Sequence, residues 1–402
     1  MHYRSFLPRV TVMKFWRMVM CLALGVGACL GPALAQAAAD TGISVQPYLQ
    51  NPAADAVTIL WQTTQPAYGW VEYGLTEQLG LMQDWVIDGL RNANTTAHRV
   101  RLSGLEAGKT YYYRIGYKPI ESFGPYKVVF GEQRYTPIQQ FTLPAANKAQ
   151  VTCCFLNDLH NNYPLYERLS VQVRALAPDA VFFNGDCFAD TPSQDVALRA
   201  LRTYTAGCDA ASRPTFFIRG NHEIRGAYAR QLGQLFEYPE GKSYFAWSFG
   251  PVRFIVLDCG EDKEDAHVEY SGLNDFRKFR EEQAQWLRQE INSASFKQAT
   301  YRILVHHMPL YLPDPTRPNL ARALWEPVLA TAPIDLAISA HTHRNNIVAT
   351  HAMGNPYPLV IGGGSDETYA TLIVLQADAQ SCRISIRDVN GKELKAITIP
   401  KR

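Results

Sequence analysis

The run Val151-Thr152-Cys153-Cys154-Phe155-Leu156-Asn157-Asp158-Leu159-His160, a helical stretch over 165–176, and then Ala180-Val181-Phe182-Phe183-Asn184-Gly185-Asp186 decide the reading of this chain. Two near-continuous apolar runs, each of strand length and separated by one helix, suit neighbouring strands buried on both faces. Working outward, the pattern predicts strands over 215–219, Phe245–Phe249, 252–258, 301–306 and 334–339, a helix over 276–291, and a return to strands from 359 to 399. Strands alternating with helices argue an α/β layered domain over 151–400.

Each apolar run ends in polar residues that folding alone does not require. These are Asp158 and His160, Asp186, Asn221 with His222 and Glu223, His306 and His307, and His341 and His343. At strand exits such side chains can converge on one edge of a sheet. A pair of metal cations needs several carboxylate and imidazole donors and one carboxylate able to bridge them, and Asp186 is the natural bridge. Asn221 offers an amide oxygen without adding charge. Oxygen donors mixed with imidazoles suit iron, manganese or zinc better than calcium, and the sequence has no paired-cysteine zinc motif. Taken singly, an Asp-x-His or a Gly-Asp is common and is as well explained by a turn. His306 and His307, adjacent on a strand, point to opposite faces, so one of the two ligates.

Upstream, from 42 to 144, the pattern is all-β, with short alternating strands such as Val57-Thr58-Ile59-Leu60-Trp61 and Tyr111-Tyr112-Tyr113-Arg114-Ile115. The segment Leu105-Glu106-Ala107-Gly108-Lys109-Thr110-Tyr111 resembles the tyrosine corner of fibronectin type III modules, and Trp61 matches their core tryptophan, which implies a sandwich. Residues 145–150 read as a linker.

The first 35 residues carry Arg4, Arg9, Lys14 and Arg17, then an apolar run from 19 to 30, then Ala33-Leu34-Ala35. This order reads as a signal peptide cleaved before Gln36, and implies a periplasmic or extracellular protein. Val26-Gly27-Ala28-Cys29 also fits a lipoprotein box, the less favoured reading. Removing residues 1–35 leaves 35 Lys and Arg against 37 Asp and Glu. A nearly neutral chain without a basic tract argues against nucleic acid as the main partner, and no transmembrane segment is expected after processing. Six cysteines survive processing, and Cys153 and Cys154 are expected to pack on opposite faces of one strand.

Taken together and in order, Asp158-Leu159-His160, Gly185-Asp186, Gly220-Asn221-His222-Glu223, Leu304-Val305-His306-His307 and Ala340-His341-Thr342-His343 resemble the successive blocks of calcineurin-like metallophosphoesterases. Within that superfamily the chain is most similar to purple acid phosphatases, whose catalytic domain also follows a fibronectin-like module. The resemblance implies a β-sandwich flanked by helices and two divalent or trivalent metal ions. One ion would take Asp158, His160, His343 and the bridging Asp186; the other would take Asp186, Asn221, His307 and His341. The His-Met-Pro continuation after His307 looks like the fourth block. The resemblance further implies that His222 assists the leaving group and that His306 lines the substrate phosphate. Glu223 is expected to orient His222, as carboxylates near metal sites often do.

Two positions depart from the purple pattern. Ala189 stands where that family has a ligating tyrosine, and His160 where it has glycine, which implies a colourless protein and puts ferric iron in doubt. The expected reaction is hydrolysis of a small phosphate monoester by a metal-bridging hydroxide. A phosphodiesterase acting on nucleotide or phospholipid head groups, and a binding protein with a vestigial site, are the alternatives. Segments 260–273 and 313–319 are candidate pocket walls.

Overall fold

A computed structural model describes residues 42–402 apart from 146–147 and 312–318. The signal-peptide and lipoprotein readings, part of the linker, and most of the 313–319 pocket wall therefore lie outside the described residues. Among those described, no helix is long and apolar enough to cross a membrane.

The amino-terminal unit is all β. Its long strand Ala56–Gly74 pairs through residues 56–63 with Ile43–Ala53 and through residues 56–62 with Thr95–Ser103. Through residues 67–74 it pairs with Thr110–Phe123 and Leu81–Asp84. The register breaks between Gln62 and Ala67, where Pro66 interrupts the ladder, so a single strand serves both layers of the sandwich. Trp61 is fully buried and its ring stacks on His98. The expected tyrosine corner is present, with the Glu106 N–H donating to Tyr111 Oη at 2.9 Å.

This unit is fixed to the α/β domain along the Ile43–Ala53 strand. Leu49 N–H donates to Ala210 O at 2.8 Å, Tyr48 Oη to Leu235 O at 2.6 Å, and Thr215 Oγ1 to Leu49 O at 3.2 Å. Val45, Tyr48 and Leu60 join the same apolar cluster as the first helices of the α/β domain. Burial of apolar side chains on both sides, with backbone bonds between them, makes a joint rather than a hinge.

The α/β domain stacks two six-stranded sheets. One is ordered Thr215–Ile218, Ala180–Asn184, Val151–Leu156, Thr371–Ala377, Ser381–Asp388, Glu393–Pro400. The other is ordered Phe245–Phe249, Val252–Val256, Tyr301–Val305, Leu336–Ser339, Leu359–Ile361, Asn346–Val348. Phe155, Phe182, Phe254 and Ile303 fill the space between the sheets. Helices cover the outer faces, Tyr163–Leu176 and Gln194–Gly207 on one side and Phe276–Glu290 and Arg322–Leu329 on the other. Cys153 packs between the sheets and Cys154 under the helices, on opposite faces as the alternation requires; all six described cysteines are buried and unpaired.

Asn162 caps the helix Tyr163–Leu176 by accepting from Leu165 N–H, Pro164 sits in its first turn, and Ala177 closes it in the left-handed conformation. Several strands stop one or two residues short of the expected limits, at Ile218, Val256 and Val305, because the chain leaves the ladder as the polar groups begin. The strands 151–156, 180–184 and 215–218 run parallel, as do 252–256, 301–305, 336–339 and 359–361. Their carboxyl ends deliver the site.

Candidate metal centre

Five of the seven candidate ligands turn with positive φ: Asp158 (48°), His160 (44°), Asp186 (51°), His341 (68°) and His343 (55°). For residues with a Cβ this conformation costs about 1–3 kcal/mol each and is kept where surrounding structure enforces it. The enforcing bonds connect one ligand loop to the next. Asp158 N–H donates to Gly185 O at 3.0 Å, His160 N–H to Asp186 O at 3.0 Å, His222 N–H to Asp186 Oδ1 at 2.8 Å, and His341 N–H to Asp158 Oδ2 at 3.0 Å.

The donor atoms converge. Asp158, His160 and His343 form one group, Asp186, His307 and His341 another, and His160, Asp186 and His222 a third that joins them. His160 Nε2 lies 3.1 Å from His343 Nε2, and Asp158 Oδ1 lies 3.3 Å from His343 Nε2. His307 Nε2 lies 3.0 Å from Asp186 Oδ2 and 3.8 Å from Asp158 Oδ1. Ligands about 2.1 Å from one ion stand roughly 3 to 3.5 Å apart, so the 3.0 to 3.3 Å separations fit coordination, and the 3.8 Å pair suits ligands of neighbouring ions. Asp186 groups with His307 and His341 and, separately, with His160, so its carboxylate faces ligands of both sets, as a bridging carboxylate would.

The donor chemistry fits metal ions as well. Asp158 Oδ1, Asn221 Oδ1 and His307 Nε2 are buried without a well-formed hydrogen bond, a cost that metal coordination would remove. His307 Nδ1 sits 2.9 Å from Asn184 O; donating there fixes the tautomer that leaves Nε2 to face Asp186. Asn157 Nδ2 holds Asp158 Oδ2 at 2.8 Å and Gly363 O at 2.7 Å. Space is tight: a Cβ on Gly220 would collide with the Asp186 carboxylate, and one on Gly364 with His343. Among these groups Ala189 supplies no donor.

Burial opposes ionisation of Asp186, yet His307 beside it and the His222 backbone amide hold its carboxyl well below the usual range. Burial by itself would discharge His307, but Asp186 and Asp158 raise it to about 10. Burial takes His341 down to about 4, with His307 adding to the effect. The clustered carboxylates thus demand positive charge, which a proton on His307 or a bound cation can meet.

Two expected roles change. Glu223 does not reach the His222 ring. The short turn His222–Ile224 carries its side chain inward, where Oε2 accepts from Asp186 N–H at 2.8 Å and Gly220 N–H at 2.7 Å, and Oε1 from Phe188 N–H at 3.0 Å. Burial, with the Asp186 charge, pushes Glu223 up to about 7. The carboxylate that does meet His222 is Asp190, whose Oδ1 lies 2.8 Å from Nδ1. His306, for its part, is fully buried, with Nδ1 2.8 Å from Met308 O, and belongs to none of the three groups. Turned to the main chain and away from the donor groups, this ring is not placed to line a phosphate beside them.

Asn157, Asp190 and the Gly362-Gly363-Gly364 run were not singled out by the sequence reading. The glycine run directly after the strand Leu359–Ile361 was the one legible signal, since three glycines at a strand exit imply close approach of another group.

Compared with known proteins, residues 152–345 match the calcineurin-like phosphoesterase family and residues 44–142 match the purple acid phosphatase N-terminal domain. The mouse (Mus musculus) serine/threonine-protein phosphatase CPPED1 is 27% identical over 249 residues, 59% of this chain and 70% of that protein. Its human (Homo sapiens) counterpart is 24% identical over 196 residues, 47% of this chain and 54% of that protein. Among solved structures, a purple acid phosphatase from yellow lupin (Lupinus luteus) seeds superposes with a TM-score of 0.63 at 15% identity, covering 88% of this chain and 74% of that one. PhoD superposes with a TM-score of 0.60 at 14% identity, covering 90% of each. At these identities the superpositions establish the fold.

Proposed function

Because the chain carries a calcineurin-like phosphoesterase domain behind a purple acid phosphatase N-terminal domain and is a hydrolase of that family, we propose that it is an exported phosphatase with a dinuclear metal centre that hydrolyses phosphate monoesters. The observation that carries the proposal is Asp186, shared by two donor groups. Asp158, His160 and His343 with Asp186 would hold one ion; Asn221, His307 and His341 with Asp186 would hold the other. When bound, iron, manganese or zinc in such a pair lowers the pKa of water and neutralises charge developing on the phosphoryl oxygens. That every donor position is filled speaks against a vestigial site. The names of the curated relatives, serine/threonine phosphatases, favour monoesters over diesters.

The protein's own groups prepare this chemistry. Glu223 and the ligand-to-ligand backbone bonds hold Asp186 in place before substrate arrives, so little reorganisation is left for the reaction. His222 stands at the edge of the cluster, its ring held between Asp190 and the metal-side groups, where it can steady the departing oxygen. Replacing His222 by Ala should spare metal content and lower turnover by roughly a hundredfold or more, most for esters with poor leaving groups. An equal loss for good and poor leaving groups would exclude that role.

Hydrolysis of matched aryl phosphate monoesters and diesters by metal-loaded protein tests the reaction class. Monoester preference is expected, and a diester preference would give the site to phosphodiester chemistry. Export rests on the basic, apolar, Ala33-Leu34-Ala35 order of the leader, and the secreted protein should begin at Gln36 on amino-terminal sequencing.

A further inference from the structure

Arg225 stands three residues after His222, at the rim of the site. Its guanidinium is held rigidly from one side: Nε donates to Glu261 Oε2 at 2.9 Å, and Nη2 donates to Glu261 Oε1 at 2.6 Å and Asp262 Oδ1 at 3.0 Å. Glu261 is itself 1% exposed, and Arg280 anchors its segment by donating to the Glu261 and Cys259 carbonyls at 2.6 and 2.8 Å. A two-point clamp of this kind fixes the plane of the fork, not only its charge.

The remaining nitrogen, Nη1, faces the catalytic side and lies 3.4 Å from His222 Nε2. An arginine N–H can only donate, so in this contact the unprotonated Nε2 of His222 receives while Nδ1 faces Asp190; a protonated His222, the form that serves the leaving group, releases Arg225 and turns its Nε2 N–H to the substrate. Nη1 carries two N–H bonds and His222 takes one. The other is left on the His222 side, next to the candidate metal centre, with the Arg225 side chain about three-quarters buried.

We propose that Arg225 is a substrate-binding residue whose Nη1 donates to a phosphoryl oxygen next to His222, and that it favours dianionic monoesters over monoanionic diesters. This rests on the phosphoesterase reading above. A monoester offers one more charged terminal oxygen than a diester, and a guanidinium fixed on two carboxylates can meet it without reordering. The segment 260–273, expected from sequence to form a pocket wall, acts here through Glu261 and Asp262 as the mount for that group.

The test uses metal-loaded full-length protein and inorganic phosphate as the probe. Arg225→Gln removes the charge but leaves Glu261 buried and unpaired, so Arg225→Gln/Glu261→Gln, which removes both charges, is measured beside it. Expected for whichever variant folds are wild-type metal content, an inhibition constant for phosphate raised about tenfold to a hundredfold, and a monoester-to-diester ratio of kcat/KM lowered by about tenfold or more. Unchanged phosphate affinity and an unchanged ratio in a folded, metal-replete variant would overturn the proposal. If the wild-type protein binds phosphate through Arg225 yet hydrolyses neither ester, the reaction assignment fails while this one stands.

Discussion

Replacing Asp186 by Ala is expected to strip metal from both positions together and to lower turnover by on the order of a thousandfold or more. The loss is double because the residue is shared. Its Oδ2 lies against His307 in one donor group, while the same carboxylate joins His160 and His222 in another. Removing it also frees the His222 amide that donates to Oδ1. Folding should suffer less than function. The buried imidazole of His307 loses the charge that keeps it protonated and can become neutral. A variant that keeps two ions at wild-type affinity would reject the bridging role.

Replacing Glu223 by Ala has the second-largest expected effect, and it falls on stability first. Three N–H groups, of Asp186, Phe188 and Gly220, lose a shared buried acceptor. Each unpaired buried donor costs about 1–3 kcal/mol, and partial rescue by water brings the total to about 3–5 kcal/mol. In a domain of this size that lowers Tm by on the order of 10 °C. Because two of those amides belong to Asp186 and to Gly220 beside Asn221, metal affinity should fall with stability. Glu223→Gln, whose amide oxygen can still serve two of the three donors, should lie between Ala and wild type. A Glu223→Ala protein as stable as wild type, measured by thermal unfolding in the presence of metal, would show that the three amides are satisfied some other way.

The contrast between Asp186 and Glu223 explains what a reading of sequence can reach. Asp158, Asp186, His307, His341 and His343 were legible because each follows an apolar run, so strand periodicity alone carries them to a common sheet edge. The positive φ values that aim them were not, since only tertiary bonds between loops hold a non-glycine residue there. Glu223 was legible as a carboxylate beside His222, but the tight turn after Asn221 sends it inward to backbone amides, and the pairing with His222 passes to Asp190. Nothing in local sequence connects Asp190 to His222, 32 positions later, or Arg225 to Glu261. His306 followed the opposite course. Strand alternation said that one of two adjacent histidines faces away, and the one facing away is sealed rather than placed on the pocket. The helix Gln194–Gly207 escaped notice because its buried stripe, Ala197, Ala200, Leu201, Tyr204 and Thr205, holds a single large aliphatic side chain and gives weak hydrophobic contrast.

The account turns on two metal ions sharing Asp186, and the most direct test is the number of ions bound per chain, measured by elemental analysis on purified protein alongside monoester hydrolysis. Close to two ions per chain are predicted, with activity lost on chelation and restored on adding manganese, zinc or iron. Undiminished hydrolysis by a chain stripped of metal, or full activity with a single ion, would contradict it.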